Sequence, residues 1–439
     1  MGAPILAAYI LLLPFQALGI PAFGYSVAPA DLAILVALSA VILQQAPGRM
    51  FLDGEFLRLG AALCGFLAAA AISAVASANP MRGLVAFLPY LHAAGAIVGL
   101  GALLTNPAPA VERWIVRSLM VSLMAIALGA MVPSAWSPEW EWWAYDTGGY
   151  NAFTKYRFFL GSPNQLSVLV VVYFALLTMF LFRRRGLGTL PEVAIPSLFT
   201  NVILLCGSRI APLSGLILLL AFWSTLVRNA LDAPASGRGR RLATALLSVS
   251  LVAGVIAVQI DGPRSLTVYR SVSGVRSLVA RAAPALGRGN DAVWFERLDA
   301  SYAVRDNLDA IALVAFRENP VVGTGLAQFN PRYARLEVHN TVLGVAAETG
   351  SLGLAALSVL VAYLMIRAVR LGGEGAWGRV AHLGVVLAVF LLHWVHFLLR
   401  ERWMWLFFLL VAYMAAGAGN AASTEGGAGS ERARPGAGA

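Results

Sequence analysis

Long apolar blocks separated by short polar ones run from one end of the chain to the other. Twelve blocks approach the ~20 residues a helix needs to cross a hydrocarbon core. They lie at 3–21, 26–44, 58–78, 83–104, 114–133, 165–182, 190–206, 210–229, 242–260, 341–369, 381–399 and 403–418. Two polar stretches interrupt them, 134–163 and 261–338. The pattern predicts an all-α, polytopic membrane bundle of about twelve transmembrane helices. Nine spans fall within 1–260, a mostly helical polar segment within 261–338 and three spans within 339–418. Residues 419–439, rich in Gly and Ala with Ser, Glu, Arg and one Pro, are expected to form a disordered tail.

Composition sharpens this. Of 439 residues, 59% are hydrophobic and 12% charged, and mean hydropathy is +0.75. An ordinary soluble domain carries about a quarter charged residues. Only 261–338 could fold outside the bilayer, and it is small enough to lean on the bundle. No basic region precedes the first apolar block, so a cleaved leader is not expected. Cys64 and Cys206 both lie in apolar blocks and are expected to be buried, signalling neither disulfide nor metal.

The net charge of +10 is carried by arginine, Lys155 being the only lysine. Arginines concentrate in alternate loops: Arg49 and Arg58, Arg113 and Arg117, Arg183, Arg184 and Arg185, then Arg228, Arg238, Arg240 and Arg241, and finally Arg367, Arg370 and Arg379. The positive-inside rule makes those loops cytoplasmic and both termini with them. The basic charge is therefore a topology signal, and nucleic acid is not an expected partner. The opposite side, the periplasm in a bacterium, receives the 134–163 loop, the Arg209 turn, 261–338 and the Arg400-Glu401-Arg402 turn. In 134–163, Trp136, Trp140, Trp142, Trp143, Tyr145, Tyr150 and Tyr156 fit either an interfacial aromatic belt or stacking against sugar rings.

The chemistry-bearing residues collect on that same side. Cys206-Gly207-Ser208-Arg209 ends the seventh span, and the short turn after it pins Arg209 near the surface. Arg264, Arg270, Arg276, Arg281 and Arg288 face only Asp261 up to residue 288, a net positive patch that would attract phosphorylated lipids. Over 302–316, Tyr302, Leu308, Ile311, Ala312 and Ala315 recur at helical spacing. Arg305 opens that helix, a poor place for a cation beside the helix dipole. A Gly323-Thr324-Gly325 turn follows, then His339-Asn340 at the start of the tenth span and Glu348 within it. His92, His382, His393 and His396 lie in or at the edge of spans and read as packing or lipid-interface residues.

There is no P-loop, nucleophile elbow, zinc spacing or dinucleotide fingerprint. What remains is a histidine that can take a proton near neutral pH and arginines that grip phosphate in a rigid fork. Together they suit attack of a hydroxyl on a sugar whose diphosphate departs.

The stretch from Arg305 through Asn319-Pro320-Val321-Val322-Gly323-Thr324-Gly325, Phe329, His339-Asn340 and Ala347-Glu348-Thr349-Gly350-Ser351-Leu352-Gly353 resembles the bacterial O-antigen ligase and polysaccharide polymerase superfamily. Pro163-Asn164, Gly207-Ser208-Arg209 and Ala30-Asp31-Leu32 are weaker matches. Ile210-Ala211-Pro212 departs from the small residues the family tends to carry there. The resemblance implies a metal-independent, inverting inner-membrane glycosyltransferase with its site facing the periplasm and no cofactor. It would move a glycan from undecaprenyl diphosphate to an acceptor sugar, lipid A–core for a ligase or a growing glycan for a polymerase. His339 would be the base, Arg209 and Arg305 would hold the diphosphate, and Asn340 and Glu348 would support them. Arg264, Arg270, Tyr333 and Asn164 complete the expected substrate-binding set. A transporter for lipid-linked sugar is the reading from another class. It would favour ionisable residues deep in the membrane and an internal repeat.

Overall fold

The computed structural model describes residues 2–22, 25–44, 54–104, 109–131, 144–146, 154–156, 158–160, 162–184, 186–206, 208, 211–261, 307–333, 338, 340–371, 376–392 and 398–431. It is an all-α polytopic bundle. Its helices are α1 (Gly2–Leu12), α2 (Pro29–Gln44), α3 (Gly54–Val75), α4 (Pro80–Leu103), α5 (Pro109–Met131), α6 (Pro163–Arg184), α7 (Thr189–Cys206), α8 (Ala211–Leu231) and α9 (Ala235–Asp261). After these come α10 (307–318), α11 (Thr341–Leu371), α12 (Ala376–Leu391) and α13 (Arg402–Glu431). Two small antiparallel ribbons interrupt the helices. One pairs Ile20–Ala22 with Tyr25–Val27, and the other pairs Ala144–Asp146 with Thr154–Tyr156 within the aromatic loop.

Proline sets several of the starts. Pro29, Pro80, Pro109 and Pro163 each occupy the first helical position, where the missing N–H costs nothing. At α4 the Asn79 side chain also accepts the Arg82 N–H at 3.1 Å, and at α6 Ser162 Oγ accepts the Gln165 N–H at 3.2 Å.

Eight of the described helices are long and apolar enough to span a membrane, and α11 is the longest at 31 residues. The remaining four expected spans are shorter apolar helices, Gly2–Gln16, Pro29–Leu43, Trp377–Leu391 and Arg402–Gly417. At the first of them Pro14 tightens the chain into a 3-10 turn over Leu13–Leu18.

Two helices form the centre. From Leu166 to Leu181 every α6 side chain is buried, and so is every α13 side chain from Trp403 to Met414. A helix apolar on all sides belongs in the interior of a bundle. Helices α5, α7, α8 and α12 surround α6, while α3, α4 and α11 surround α13. A second, smaller core ties α10 to the start of α11 through Leu308, Ala312, Ala315, Phe329, Val338 and Ala347. This is the apolar face read from the sequence.

Two expectations change. Cys206 is buried, but Cys64 is exposed on the outer face of α3. An apolar block does not distinguish a core position from a lipid-facing one. The helical pattern of α13 also continues to Glu431, so 419–431 is helical where a disordered tail was expected. Alanines 415, 416, 418, 421 and 422 favour helix, and no proline intervenes before Pro435.

Candidate functional site

The clearest local construction is a break in α11. Gly350 has φ 65° and ψ −158°, a conformation open essentially to glycine alone. A break frees backbone groups that lipid cannot satisfy, and the turn at 320–325 supplies them. The Thr324 and Gly325 N–H groups donate to the Ala347 and Glu348 carbonyls at 2.8 and 3.2 Å. In return the Ser351 and Leu352 N–H groups donate to the Pro320 and Val321 carbonyls at 2.8 and 3.2 Å. Thr324 Oγ1 adds a bond to the Ala347 carbonyl at 3.0 Å, and Ser73 Oγ on α3 donates to the Glu348 carbonyl at 2.5 Å.

The fit leaves no room for side chains. A Cβ on Gly323 would stand 2.3 Å from the Glu348 backbone, and one on Gly350 would stand 2.4 Å from Val321. Proline, glycines and the Glu-Thr-Gly run are thus one interlocked unit, although more than twenty residues separate them in sequence.

This unit fixes Glu348. Its side chain is buried, and its Oε2 accepts Arg400 Nη2 at 2.6 Å. Asn340 is also buried and caps α11: its Oδ1 accepts the Val342 and Leu343 N–H groups at 3.0 and 3.2 Å. That side-chain oxygen is committed to the helix, so Asn340 acts here as a cap.

Arg400 begins a three-residue turn with bonds in three directions. Arg400 reaches Glu348 on α11. Glu401 Oε1 accepts Gln165 Nε2 on α6 at 2.9 Å. Arg402 reaches Asp31 on α2 with a two-pronged grip, Nε to Oδ1 at 2.9 Å and Nη2 to Oδ2 at 2.8 Å. Asp31 has two further partners, His92 Nδ1 on Oδ1 at 2.6 Å and the Ala28 N–H on Oδ2 at 2.7 Å. His92 Nε2 in turn meets the Tyr9 hydroxyl at 3.1 Å. His92 lies twelve residues into α4, which is ~18 Å along the helix from Pro80 and ~half the hydrocarbon thickness.

Of the candidates drawn from sequence, Asn340 caps α11 and Glu348 lies about two turns further along the same helix. Asn164 sits in the first turn of α6, half-buried, with its carbonyl accepting Ser167 Oγ at 2.8 Å. Its neighbour Gln165 makes the link to Glu401. Tyr333 packs against the smaller core that includes Phe329, Val338 and Ala347; its hydroxyl bonds the Glu318 carboxylate, and its ring stacks on Phe329 at 6.0 Å. Burial, then the Glu318 bond, raises the Tyr333 hydroxyl above its ordinary 10.0. His339, Arg305, Arg209, Arg264 and Arg270 lie outside the described residues, as do Glu337, His393, His396 and the four loop tryptophans. Val338 and Asn340, which flank His339 in the chain, are 5% exposed each.

Sequence reasoning missed the Arg400-Glu401-Arg402 turn as a hub, and it misjudged His92, which is hydrogen-bonded to Asp31 where a packing or lipid-interface residue was expected. His382 does pack, its Nδ1 against the Gly378 carbonyl at 2.9 Å and its ring against Phe182. A signal for the hub was present. Two arginines and a glutamate between apolar helices, on the side the positive-inside rule does not explain, meet the same criterion that singled out Arg209. Among the described residues no group of three His, Cys, Asp or Glu side chains is placed to hold a metal ion.

The chain matches no protein-family model, and no curated protein matches it either.

Proposed function

We propose that the protein is an inner-membrane glycosyltransferase that moves a glycan from undecaprenyl diphosphate to an acceptor sugar on the periplasmic side, as an O-antigen ligase acting on lipid A–core. The observation that supports this most is the interlocked unit at the α11 break. It bonds the Pro320–Gly325 turn to the helix that carries Asn340 and Glu348, so that pieces on which the family resemblance rests share one local construction. Catalytic side chains held by a rigid scaffold need less reorganisation at the moment of reaction.

In this reading His339 takes the proton from the acceptor hydroxyl as its oxygen attacks the anomeric carbon. The bond from that carbon to the diphosphate oxygen breaks, and the electron pair leaves on the diphosphate. Arg209 and Arg305 neutralise the departing charge, which a guanidinium does without changing protonation state. Attack from the face opposite the leaving group inverts the anomeric centre.

The test is transfer by purified protein, offered lipid A–core and carrier-linked glycan together in the presence of a chelator. Product on lipid A–core is expected, with His339→Ala, Arg305→Ala and Arg209→Ala each inactive yet still inserted in the membrane. Product on the carrier-linked glycan alone would make the protein a polymerase. Wild-type rates in all three variants would remove the enzyme assignment.

One observation favours a transporter instead. A broken helix beside charged side chains deep in the bundle is an arrangement that lipid-embedded carriers use. Movement of the carrier-linked glycan across proteoliposomes lacking any acceptor, with no bond broken, would establish that alternative.

A further inference from the structure

We infer that Asp31 and Arg402 are positioning residues whose pair fixes the Arg400-Glu401-Arg402 turn and, through Arg400, the Glu348 carboxylate at the α11 break. The inference deepens the proposed transferase site by adding a supporting layer that the resemblance does not assign.

The hydrogen-bond inventory of Asp31 carries the argument. A carboxylate offers about four acceptor positions, two on each oxygen. Here Oδ1 takes His92 Nδ1 at 2.6 Å and Arg402 Nε at 2.9 Å, and Oδ2 takes the Ala28 N–H at 2.7 Å and Arg402 Nη2 at 2.8 Å. All four positions are filled by the protein itself. Asp31 therefore has no capacity to accept a proton-bearing group from a substrate, and it is 9% exposed. A saturated, buried carboxylate is suited to holding something still.

Arg402 is the group it holds. Arg402 is the first residue of α13, where the exposed helix N–H groups disfavour a cation. Burying a guanidinium there is costly without a well-aligned partner, and the two-pronged bond from Asp31 is such a partner. One residue earlier Glu401 is tied to α6, and one before that Arg400 is tied to Glu348. Three consecutive side chains thus anchor one short turn to α2, α6 and α11. Displacing Arg402 displaces the other two, because a turn of this length has no slack.

The experiment uses two readouts on full-length protein carrying Cys64→Ser and Cys206→Ser. Thr324→Cys places a thiol in the turn docked on the break, at a position only 3% exposed. Its reaction with a water-soluble maleimide reports the unit without any enzymatic assay. Asp31→Asn is expected to raise the labelling rate at least tenfold. Asp31→Leu combined with Arg402→Met removes both charges, leaves no uncompensated ion and keeps the chain foldable. It is expected to raise labelling in the same way.

The second readout is the transfer rate in a double-mutant cycle with Glu348→Gln. If Asp31 acts through Glu348, Asp31→Asn lowers transfer at least tenfold in the wild-type background and less than twofold once Glu348 is Gln. Unchanged labelling in both Asp31 variants, or losses that multiply in the cycle, would overturn the inference. Raised labelling in protein that transfers no glycan would sustain it and count against the transferase reading alone.

Discussion

Two largely buried carboxylate–guanidinium pairs in this protein have different settings. Glu55 meets Arg367 at 2.6 Å, and Glu348 meets Arg400 at 2.6 Å. Glu55 lies in the first turn of α3, where a carboxylate suits the helix dipole, and Arg367 lies near the end of α11, where a cation does. Both follow from helix polarity and from the arginine-rich side of the bundle. The Arg367 guanidinium also lies 5.4 Å from the Tyr363 ring. Glu348 has none of these local reasons. It sits at a glycine break, and its partner comes from a turn that is also bonded to two other helices, α2 and α6. A short, buried ion pair is therefore weak testimony to function on its own. The backbone built to hold it is stronger.

The sharpest way to break this contrast is at the backbone. Gly350→Ala puts a side chain where φ is 65° and where the nearest backbone atom is 2.4 Å away. The expected cost is at least about 3 kcal/mol, seen as loss of a cooperative melt in detergent. Gly384→Ala on α12 meets nothing within 4 Å, and there alanine should gain about 0.5–1 kcal/mol. Equal melts for the two variants would mean that the α11 break is not a fixed feature.

The ion pairs should then separate by readout. Glu55→Gln leaves Arg367 facing a neutral amide and should lower stability by about 3 kcal/mol, with the transfer rate per folded molecule unchanged. Glu348→Gln should lower transfer roughly a hundredfold, about 2.7 kcal/mol of barrier. Melting curves and rates on the same samples check both. A rate loss as large for Glu55→Gln as for Glu348→Gln would erase the distinction.

The bundle itself was legible because lipid imposes a blunt rule. Apolar blocks of the right length become helices: among the described residues eight expected spans are helices long enough to cross a membrane, and the other four are shorter apolar helices. Even the amphipathic face of α10 could be read, since Leu308, Ala312 and Ala315 repeat at helical spacing and are buried together. What hydropathy does not encode is which way an apolar face looks, so Cys64 was misplaced. Nor does it encode which charged side chains find one another across the bundle. Asp31, His92 and Arg402 are separated by sixty to several hundred residues; Asp31 and His92 each look like an isolated polar residue in an apolar run, and the Arg400-Glu401-Arg402 triplet does not name its partners. The docking of the 320–325 turn was hidden for a similar reason. Its glycines looked like turn residues, whereas they serve as contact surfaces for a distant helix.

The smallest effect belongs to Tyr333, whose ring packs on the core that includes Ala347 but whose hydroxyl is bonded to Glu318 on α10. Its hydroxyl donates to Glu318 on the partly exposed side of α10, where solvent screens the interaction. Tyr333→Phe should cost less than about 0.5 kcal/mol at neutral pH and leave transfer intact. The sign of its pH dependence follows from the raised hydroxyl: the folded state favours the protonated phenol. The bond therefore contributes fully below pH 10.0, the ordinary value, and is lost as pH rises through the higher folded value. Wild type and Tyr333→Phe should thus differ slightly in melting temperature near pH 8 and converge above pH 10. A transfer defect in Tyr333→Phe at neutral pH would contradict this and return Tyr333 to the substrate-binding set that sequence suggested.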